Sequence, residues 1–273
     1  MSRLSLLNFG LRHIGRPLLA RTKSPQQAAK DFRRTARFAF LRPRGLKFER
    51  LDRSLARITC GPVNDSAGIL YFHGGGYVAG SAWTHRAMLG RLSLLSGLPV
   101  FAADYRLAQD APFPAAFDDA RAAWDKIDLP AACIVLGGDS AGGGLSLALL
   151  ASLLNDGIRP AGSFAFSPWT DLTLSGETLT TNAASDAILP RARMDELRET
   201  VLQGADPADP RISPLFAEWT DPPPVLVQAS DTEILYDDGR RITERLKQAG
   251  SDATFETWSN CPHVWHIFDG LIP

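Results

Sequence analysis

The chain has 273 residues, of which 45% are hydrophobic and 22% charged, and its formal net charge is −1. This composition is typical of globular proteins, and the length suits one large α/β domain or two small ones. No apolar run approaches the ~18 residues needed to cross a bilayer, and the N-terminus shows no secretory cleavage site. Three widely spaced cysteines, Cys60, Cys133 and Cys261, argue against a disulfide framework and for a reducing, cytoplasmic location.

The net charge hides an asymmetry between the two ends of the chain. Residues 1–53 hold 14 Lys or Arg and 3 Asp or Glu, whereas the remainder holds 15 basic and 27 acidic residues. The simpler interpretation is a basic N-terminal arm docked on an acidic body. The alternative is an arm that lies on a membrane surface, because basic residues alternate there with Leu and Phe. We favour the docked arm, because its apolar face is short and interrupted. No basic motif with interleaved aromatics predicts nucleic-acid binding.

Short apolar strands alternate with helix-length segments from residue 55 onward. Strands are predicted at 67–72, 99–105, 132–138, 162–167, 224–230 and 253–258, and helices at 84–97, 115–127, 141–156 and 237–250. Strands this apolar cannot expose one face to water. They predict an α/β fold with a mostly parallel central sheet covered by helices on both faces.

Residues 168–222 interrupt this alternation. They contain no good strand, include a predicted helix at 191–204 and are rich in Pro turns. We interpret them as an insertion that lies over the sheet and forms a helical cap together with the N-terminal segment 1–45. The main α/β domain would then comprise residues 46–167 and 223–273.

The stretch "GGDSAGG", residues 137–143, follows a predicted strand and opens a predicted helix. Gly138, Ser140 and Gly142 fit the pattern Gly-x-Ser-x-Gly, in which the serine occupies a tight, strained strand-to-helix turn. Its hydroxyl then lies at the positive end of a helix, which favours a developing negative charge. A phosphate-binding loop is the alternative, but neither Gly-Lys-Ser/Thr nor Gly-x-Gly-x-x-Gly fits here. Ser140 is therefore a candidate nucleophile.

A run of three glycines, Gly74 to Gly76, follows His73 at the end of an earlier predicted strand. Alone, such a run could mark a hairpin or a bulge. Followed by a serine elbow on the same sheet, it predicts an oxyanion hole, because glycines let backbone N–H groups converge on one point. Each well-placed donor of this kind stabilises a transition state by about 2.7–4 kcal/mol.

In folds built around such an elbow, an acid and then a histidine follow the serine along the chain. Only His263 and His266 come after Ser140, both within "CPHVWHIF". His263 follows the last strand and a short loop, where a side chain can reach back over the sheet. His266 lies one helical turn further on. We predict that His263 is the base and keep His266 as the alternative.

The stretch "SDTEILYDD", residues 230–238, contains four acids and follows the penultimate strand. Asp237 and Asp238 lie at the predicted start of a helix, where carboxylates favour the N-terminal dipole and cap free N–H groups. Asp231 and Glu233 both lie in the preceding loop. Either could accept a hydrogen bond from the imidazole of His263, and the residues alone do not separate them.

These segments together resemble the bacterial hormone-sensitive-lipase-like esterases of the α/β-hydrolase superfamily. The resemblance covers residues 40–268 and rests on HGGG, "DYRLA", GDSAGG, an acid-x-Leu-x-Asp box and "HVWHIF". It implies an α/β-hydrolase fold with a helical cap, no cofactor or metal, and hydrolysis of short to medium acyl esters. By position it implies Ser140 as nucleophile, His263 as base, and Gly75, Gly76 and Ala141 as oxyanion donors.

The resemblance also assigns supporting roles and the acid. His73, Gly74 and Asp139 would shape the turns around the nucleophile, and Asp104, Tyr105 and Arg106 match a structural "DYR" element. In the family's Asp-x-Leu-x-Asp box the first acid is catalytic. Leu235 and Asp237 fix the register, so that the box begins at Glu233. Asp231 requires a two-residue shift and is the second choice.

Two departures from the family pattern are visible. Ala108-Gln109-Asp110 replaces the usual Ala-Pro-Glu, which we expect to be a minor loop change. The chain ends at Pro273, where family members usually continue into another helix. We expect a naturally short or truncated chain with apolar surface near His263.

The predicted reaction is two-step acyl transfer on a small ester, without stable membrane insertion. Relatives in this family often dimerise, so a homodimer is an open expectation. Amide hydrolysis, transfer to another acceptor or dehydration stay open as alternatives, because a fold and a triad do not fix the reaction. A non-catalytic ligand receptor is less favoured, since such proteins usually lose a triad residue.

Overall fold

A computed structural model describes residues 2–272. In this part of the chain one sheet has the strand order β1-β2-β4-β3-β5-β6-β7-β8. Its strands are β1 (Leu46–Arg50), β2 (Leu55–Cys60), β3 (Gly68–Phe72), β4 (Val100–Ala103), β5 (Ile134–Asp139), β6 (Gly162–Phe166), β7 (Val225–Ser230) and β8 (Ala253–Trp258). β2 pairs antiparallel with β1 and β4, and all other pairs are parallel. The predicted mostly parallel sheet is confirmed.

The two antiparallel strands β1 and β2 escaped the sequence prediction. β1 lies at the edge of the sheet, and only Leu46 and Phe48 in it are half-buried. β2 is mostly buried, but Arg57 interrupts its apolar pattern. A short, polar edge strand carries little hydrophobic signal, because its backbone pairing rather than its own burial makes it a strand.

Helices cover the sheet, and none in residues 2–272 is long and apolar enough to cross a bilayer. They are α1 (Arg3–Gly10), a π-helical turn (Leu11–Gly15), α2 (Arg16–Ala20), α3 (Pro25–Phe38), α4 (Ala82–Ser96), α5 (Ala115–Asp125), α6 (Ala141–Asn155), α7 (Thr178–Thr181), α8 (Met194–Leu202) and α9 (Tyr236–Gln248). Short 3₁₀ helices occur at Ala131–Cys133, Arg191–Arg193, Pro214–Phe216 and Trp265–Phe268.

Two apolar clusters lie on opposite faces of the sheet. Alternate residues of β3 belong to different clusters, Leu70 and Phe72 to one and Ile69 and Tyr71 to the other. Successive side chains of a strand point to opposite faces, so that each cluster is the core of one layer. The first cluster joins α5, α6, α9 and the insertion to the sheet, and the second joins α3 and α4.

The insertion at 168–222 contains helices but no strand, as predicted. Its segment 182–186 holds the backbone of the loop that follows β7. The Asn182 side-chain amide donates to the carbonyls of Asp231 and Glu233, both at 3.0 Å. The Asp186 carboxylate accepts from the N–H of Ile234 at 2.9 Å. The insertion therefore fixes the conformation of the loop that carries the candidate acids.

The N-terminal helices dock on the body, but not as an ion-paired basic arm. Three side chains of the arm donate to carbonyls of the body at 2.7–3.0 Å: Asn8 to Asn260, Arg12 to Ser185 and Arg16 to Asp186. Among the described residues, no Lys or Arg from Arg3 to Lys47 takes part in an ion pair. The arm is thus docked on the body, and backbone carbonyls and apolar contacts hold it there.

Candidate active site

Ser140 occupies the turn between β5 and α6. Its backbone has φ 53° and ψ −124°, a strained conformation for a residue with a side chain. The N–H of Ser140 donates to the carbonyl of Phe166 at 2.8 Å, and its carbonyl accepts from Trp169 N–H at 2.9 Å. A Cβ at Gly142 would lie 2.1 Å from the carbonyl oxygen of Phe72, so only glycine allows this close approach. The local sequence thus fixes a strained turn in which Ser140 is half-buried.

The glycine turn after β3 lies beside this elbow. Gly74 donates its N–H to Oδ1 of Asp139 at 3.0 Å and is therefore occupied. Gly75 has φ 119°, and a Cβ there would lie 2.3 Å from the carbonyl oxygen of Ala79. Among residues 2–272, the N–H groups of Gly75, Gly76 and Ala141 have no hydrogen-bond acceptor. These are the donors that an oxyanion hole beside Ser140 requires.

The Asp139 side chain holds the glycine turn and is itself hydrogen-bonded to Tyr71. Asp139 is buried and accepts from the Tyr71 hydroxyl at 2.8 Å as well as from Gly74. Burial alone would raise its pKa, but His85 and these hydrogen bonds lower the pKa of Asp139 below its usual range. The carboxylate is therefore ionised and acts as an anchor for the turn.

His73 is also buried, and its ring stacks on Tyr105 with centroids 4.2 Å apart. Its Nδ1 lies 2.9 Å from the carbonyl oxygen of Gly74, and the Tyr105 hydroxyl donates to its carbonyl at 2.6 Å. Burial lowers the pKa of His73 to about 4. The imidazole is thus neutral, and its contacts are with the glycine turn. Within residues 2–272, no group of three or more His, Cys, Asp or Glu is arranged to hold a metal ion.

His263 and Glu233 form a buried pair. Nδ1 of His263 lies 2.5 Å from Oε2 of Glu233, and the two residues are only 6% and 1% exposed. The other carboxylate oxygen, Oε1, accepts from Ser230 N–H at 2.6 Å and from the Ser167 hydroxyl at 3.0 Å. The Glu233 carboxylate can only accept a hydrogen bond, so Nδ1 of His263 carries the proton that it donates. Nε2 is then the basic nitrogen of the neutral ring.

The pKa of His263 reflects two opposing effects. Burial lowers it, because the charged imidazolium loses hydration. The hydrogen bond and the negative charge of Glu233, with smaller contributions from Asp186 and Asp139, outweigh burial and raise the pKa above its ordinary value. The site therefore stabilises a protonated His263, which is the form that a general base becomes during a reaction.

Ser140 and His263 approach the same strand end from two sides. Ser140 N–H bonds to the carbonyl of Phe166, and Val264 N–H donates to the hydroxyl of the next residue, Ser167, at 3.2 Å. Within the described residues, Nε2 of His263 is buried without a hydrogen-bond partner, so Ser140 does not yet donate to it. Catalytic hydrogen bonds are often long in free enzymes and shorten when substrate binds.

The other acids of the 230–238 stretch lie away from His263. Asp231 is exposed, and its carboxylate accepts from the N–H of Asn260 at 2.9 Å. Asp237 and Asp238 stand in the first turn of α9, as predicted, but they do not cap that helix. Asp238 Oδ2 accepts from Thr170 N–H at 2.7 Å and Asp237 Oδ2 from Thr178 N–H at 3.1 Å. The capping role was wrong, because position along a helix does not specify the loop that packs beside it.

His266, the alternative base, has different partners. Its ring stacks on Phe166 with centroids 3.8 Å apart, and Nε2 lies 2.8 Å from Oε1 of Gln228. Burial lowers the pKa of His266 to about 3. This histidine is a neutral packing residue beneath the loop that holds His263.

Sequence reasoning missed Ser167. It is fully buried, has φ 48°, donates to Glu233 and accepts from Val264. One hydroxyl thus bridges the candidate acid and the residue next to the candidate base. Its place at the carboxyl end of a predicted parallel strand was the available signal, because side chains at such ends converge on the same edge of a sheet.

Three comparisons relate the chain to known proteins. A family model described as the alpha/beta hydrolase fold matches residues 69–267. The chain is 38% identical over 213 residues to an acetyl-hydrolase of Streptomyces hygroscopicus, covering 77% of this chain and 71% of that protein. It is 34% identical over 210 residues to an esterase of Acinetobacter venetianus, covering 75% of this chain and 69% of that protein.

Solved structures of esterases also resemble this chain. A crystal structure of an esterase from the bacterial hormone-sensitive lipase family superposes with TM-score 0.92 at 36% identity, covering 99% of this chain and 92% of that chain. The structure of EstE5 soaked with ethyl alcohol superposes with TM-score 0.94 at 32% identity, covering 99% and 93%.

Proposed function

The chain belongs to the α/β-hydrolase fold family and, within it, to the bacterial hormone-sensitive-lipase-like esterases, and from this premise we propose how it works. It is a carboxylic ester hydrolase. We propose that it cleaves short to medium acyl esters through an acyl-enzyme on Ser140. The buried pair of Glu233 and His263 is the observation that supports this proposal most directly. Among the described residues it leaves Nε2 of His263 without a partner, at the end of β6 that also bonds to the strained Ser140.

In the first step, Nε2 of His263 takes the proton of the Ser140 hydroxyl as its oxygen attacks the ester carbonyl carbon. The carbonyl oxygen becomes an oxyanion, which accepts from the N–H groups of Gly75, Gly76 and Ala141. Glu233 holds Nδ1–H and stabilises the imidazolium. The tetrahedral intermediate collapses, the C–O bond to the alcohol breaks, and His263 donates its proton to the leaving oxygen.

In the second step, water replaces the alcohol. His263 takes a proton from the water as the hydroxide attacks the acyl carbon, and the same N–H donors hold the second oxyanion. Collapse of this intermediate releases the carboxylic acid and returns the proton to Ser140. Each step uses the same three side chains, so loss of any one should affect both acylation and deacylation.

We further propose that residues 1–45 and 168–222 form a cap over a main domain of 46–167 and 223–273. The side chain of Leu197 on α8 supports this assignment, since a Cβ at Gly76 would lie 2.8 Å from its Cδ2. α8 thus covers the glycine turn, and its side chains would limit the size of the bound ester. The relatives' names, acetyl-hydrolase and esterase, favour short acyl groups.

The location and assembly of the protein are also proposals. Three free cysteines, Cys60, Cys133 and Cys261, support a reducing compartment such as the cytoplasm. We also propose a homodimer, because relatives in this family often dimerise.

The decisive experiment measures hydrolysis of p-nitrophenyl esters of increasing acyl length by the wild type and by Ser140→Ala. We expect turnover by the wild type, with a preference for short chains, and a loss of about 10⁶-fold in kcat in the variant. Covalent labelling by an organophosphate should occur only on the wild type. Equal turnover in both proteins would contradict the serine mechanism, and faster turnover of matched amides would favour the amidase alternative.

A further inference from the structure

An apolar stripe runs along the outer surface of the N-terminal helices. Leu6, Phe9, Ile14 and Leu18 are 57%, 58%, 64% and 66% exposed. They are spaced by three, five and four residues, and the five-residue interval crosses the π-helical turn Leu11–Gly15. One turn of an α-helix spans three to four residues and a π-turn spans about five, so all four side chains lie on one face.

This stripe is separate from the packing of the arm on the body. Leu4, Leu7 and Leu11 of the same helices pack against the cluster that also contains α3 and α4. The arm therefore has an inner apolar face that is used and an outer one that is not. Exposed apolar surface of this kind, rimmed by polar residues, marks an interaction site in proteins.

The charge around the stripe is strongly positive. Residues 2–47 contain twelve Lys or Arg and a single acid, Asp31, and eleven of the twelve cations are exposed. None of these twelve forms an ion pair with another described residue. Phe32 and Ala36 of α3 pack on the same cluster as Leu4. α3, which carries several of these cations, therefore covers the same face of the sheet as the helix that begins the stripe.

We propose that this face docks the protein on an anionic lipid surface. The four stripe residues would enter the boundary between headgroups and acyl chains, while exposed Arg and Lys contact lipid phosphates. The chemistry favours lipid over a second copy of the chain, because a copy would present the same uncompensated cations. The rest of the chain is acidic and is repelled by the same surface, which orients the arm toward it.

Such docking would face the candidate active site toward the lipid. Asn8 and Arg12 bond to the carbonyls of Asn260 and Ser185. These two residues belong to segments beside the loops that carry His263 and Glu233. Esters dissolved in a bilayer would then reach the site without crossing water, whereas soluble esters would not need the stripe.

Co-sedimentation of the full chain with vesicles tests the proposal without measuring activity. We expect binding to vesicles of phosphatidylcholine mixed with phosphatidylglycerol and about tenfold weaker binding to pure phosphatidylcholine. Binding to the mixed vesicles should disappear in about 1 M NaCl, where the Debye length falls to about 3 Å. A Phe9→Trp variant should show a blue-shifted emission only when bound.

The double variant Phe9→Ser, Leu18→Ser should bind the mixed vesicles about tenfold or more weakly. Leu95→Ser is the matched control, because Leu95 is 78% exposed on α4 and does not belong to the stripe, so its loss should leave binding unchanged. Turnover of a soluble p-nitrophenyl ester checks that each variant folds. It also separates this proposal from the esterase proposal, since either can fail alone.

Three results would overturn the proposal. The first is no binding of the wild type to phosphatidylglycerol vesicles at low salt. The second is equal binding by the stripe variant and the Leu95→Ser control. The third is a homodimer in analytical ultracentrifugation that the stripe variant dissociates, which would assign the face to a second copy of the chain.

Discussion

The acidic stretch 230–238 contains two buried carboxyl groups whose hydrogen-bond partners differ. Glu233, in the loop, and Asp238, in the first turn of α9, are each 1% exposed. Glu233 faces an imidazole nitrogen at 2.5 Å, whereas Asp238 accepts from the backbone N–H groups of Thr170 and Asp171 at 2.7 and 2.9 Å. A histidine can exchange its proton during a reaction, and a backbone amide cannot.

The comparison shows that burial alone does not identify a catalytic acid. Burial, followed by the nearby charge of Asp171, raises the pKa of Asp238 to about 8, so this carboxyl is mostly protonated at neutral pH. It connects α9 to the insertion, and the N–H groups that donate to it are backbone amides, which cannot exchange a proton with it during a reaction. Glu233 instead raises the pKa of its neighbour His263. The partner of each carboxylate, and not its burial, separates the two roles.

The largest expected effect comes from replacing the loop acid. Glu233→Gln should lower kcat by about 10⁴-fold, because the amide favours the wrong tautomer of His263 and does not stabilise the imidazolium. Asp231→Asn is the matched control two residues away, and it should change kcat by no more than about a factor of two, as expected for an exposed site. Steady-state kinetics on a p-nitrophenyl ester measures both. The reverse ranking would assign the acid to Asp231.

The pH dependence of kcat/KM tests whether Glu233 controls the pKa of His263. The base must be neutral, so activity rises with pH through the pKa of His263. The wild-type midpoint should lie above 6.5, the ordinary histidine value. In Glu233→Gln burial still lowers the pKa of His263, and only the smaller effects of the Asp186 and Asp139 charges oppose it, so that the midpoint of the residual activity should move below that of the wild type. An unchanged midpoint would mean that Glu233 does not control the base.

A smaller effect is expected at Ser167, which we predict to be a positioning residue for Glu233 and the His263 loop. Ser167→Ala should lower kcat by about ten- to a hundredfold with little change in KM, because a buried hydrogen bond to a charged group contributes about 1.5–3 kcal/mol. The wild-type acidic midpoint should also shift, which a purely structural role would not cause.

The control for this prediction is Ser163→Ala on β6, the strand that Ser167 follows. Ser163 is also buried, and its hydroxyl has no hydrogen-bond partner among the described residues. Its loss should leave kcat and the pH midpoint unchanged. Equal effects of the two variants would show that only packing along β6 matters.

Replacement of Asp238, in the first turn of α9, should have the smallest effect on activity. We expect it to change the stability of the fold instead. Asp238→Ala leaves the N–H groups of Thr170 and Asp171 without their acceptor and should lower the free energy of unfolding by about 2–4 kcal/mol. Asp238→Asn keeps an acceptor oxygen and should match the wild type in stability at about pH 4 and below, where Asp is protonated in both the folded and the unfolded chain, with unchanged kcat. Urea denaturation of both variants measures the difference.

The sign of the pH dependence at Asp238 follows from its raised pKa. In the unfolded chain an Asp ionises near pH 4, whereas folded Asp238 holds its proton to about pH 8. Its contribution to stability is therefore complete below pH 4 and is lost as pH rises through 8. Asp238→Asn should gain stability relative to the wild type across this window. No relative gain would indicate that Asp238 is ionised in the folded protein.

Local sequence determined the elbow, the glycine turn and most strands and helices, whereas the register that favoured Glu233 came from the resemblance to a family. These features depend on backbone geometry and periodicity within a few residues, such as the glycines that allow Ser140 its positive φ. Only the tertiary structure decided which groups meet across the chain. Ser167 and Glu233 are 66 residues apart, and Asp238 lies 68 residues from its partner Thr170.

The same reason explains what the charge pattern could not determine. Composition identified a basic arm and an acidic body and favoured docking of the arm on the body. In the folded chain the arm's apolar inner face and its bonds to carbonyls determine how it docks, which leaves its cations on the surface. A count of charges describes only the long-range electrostatic field of each segment. How the arm docks depends on short-range contacts, which form only after the sheet has brought distant segments together.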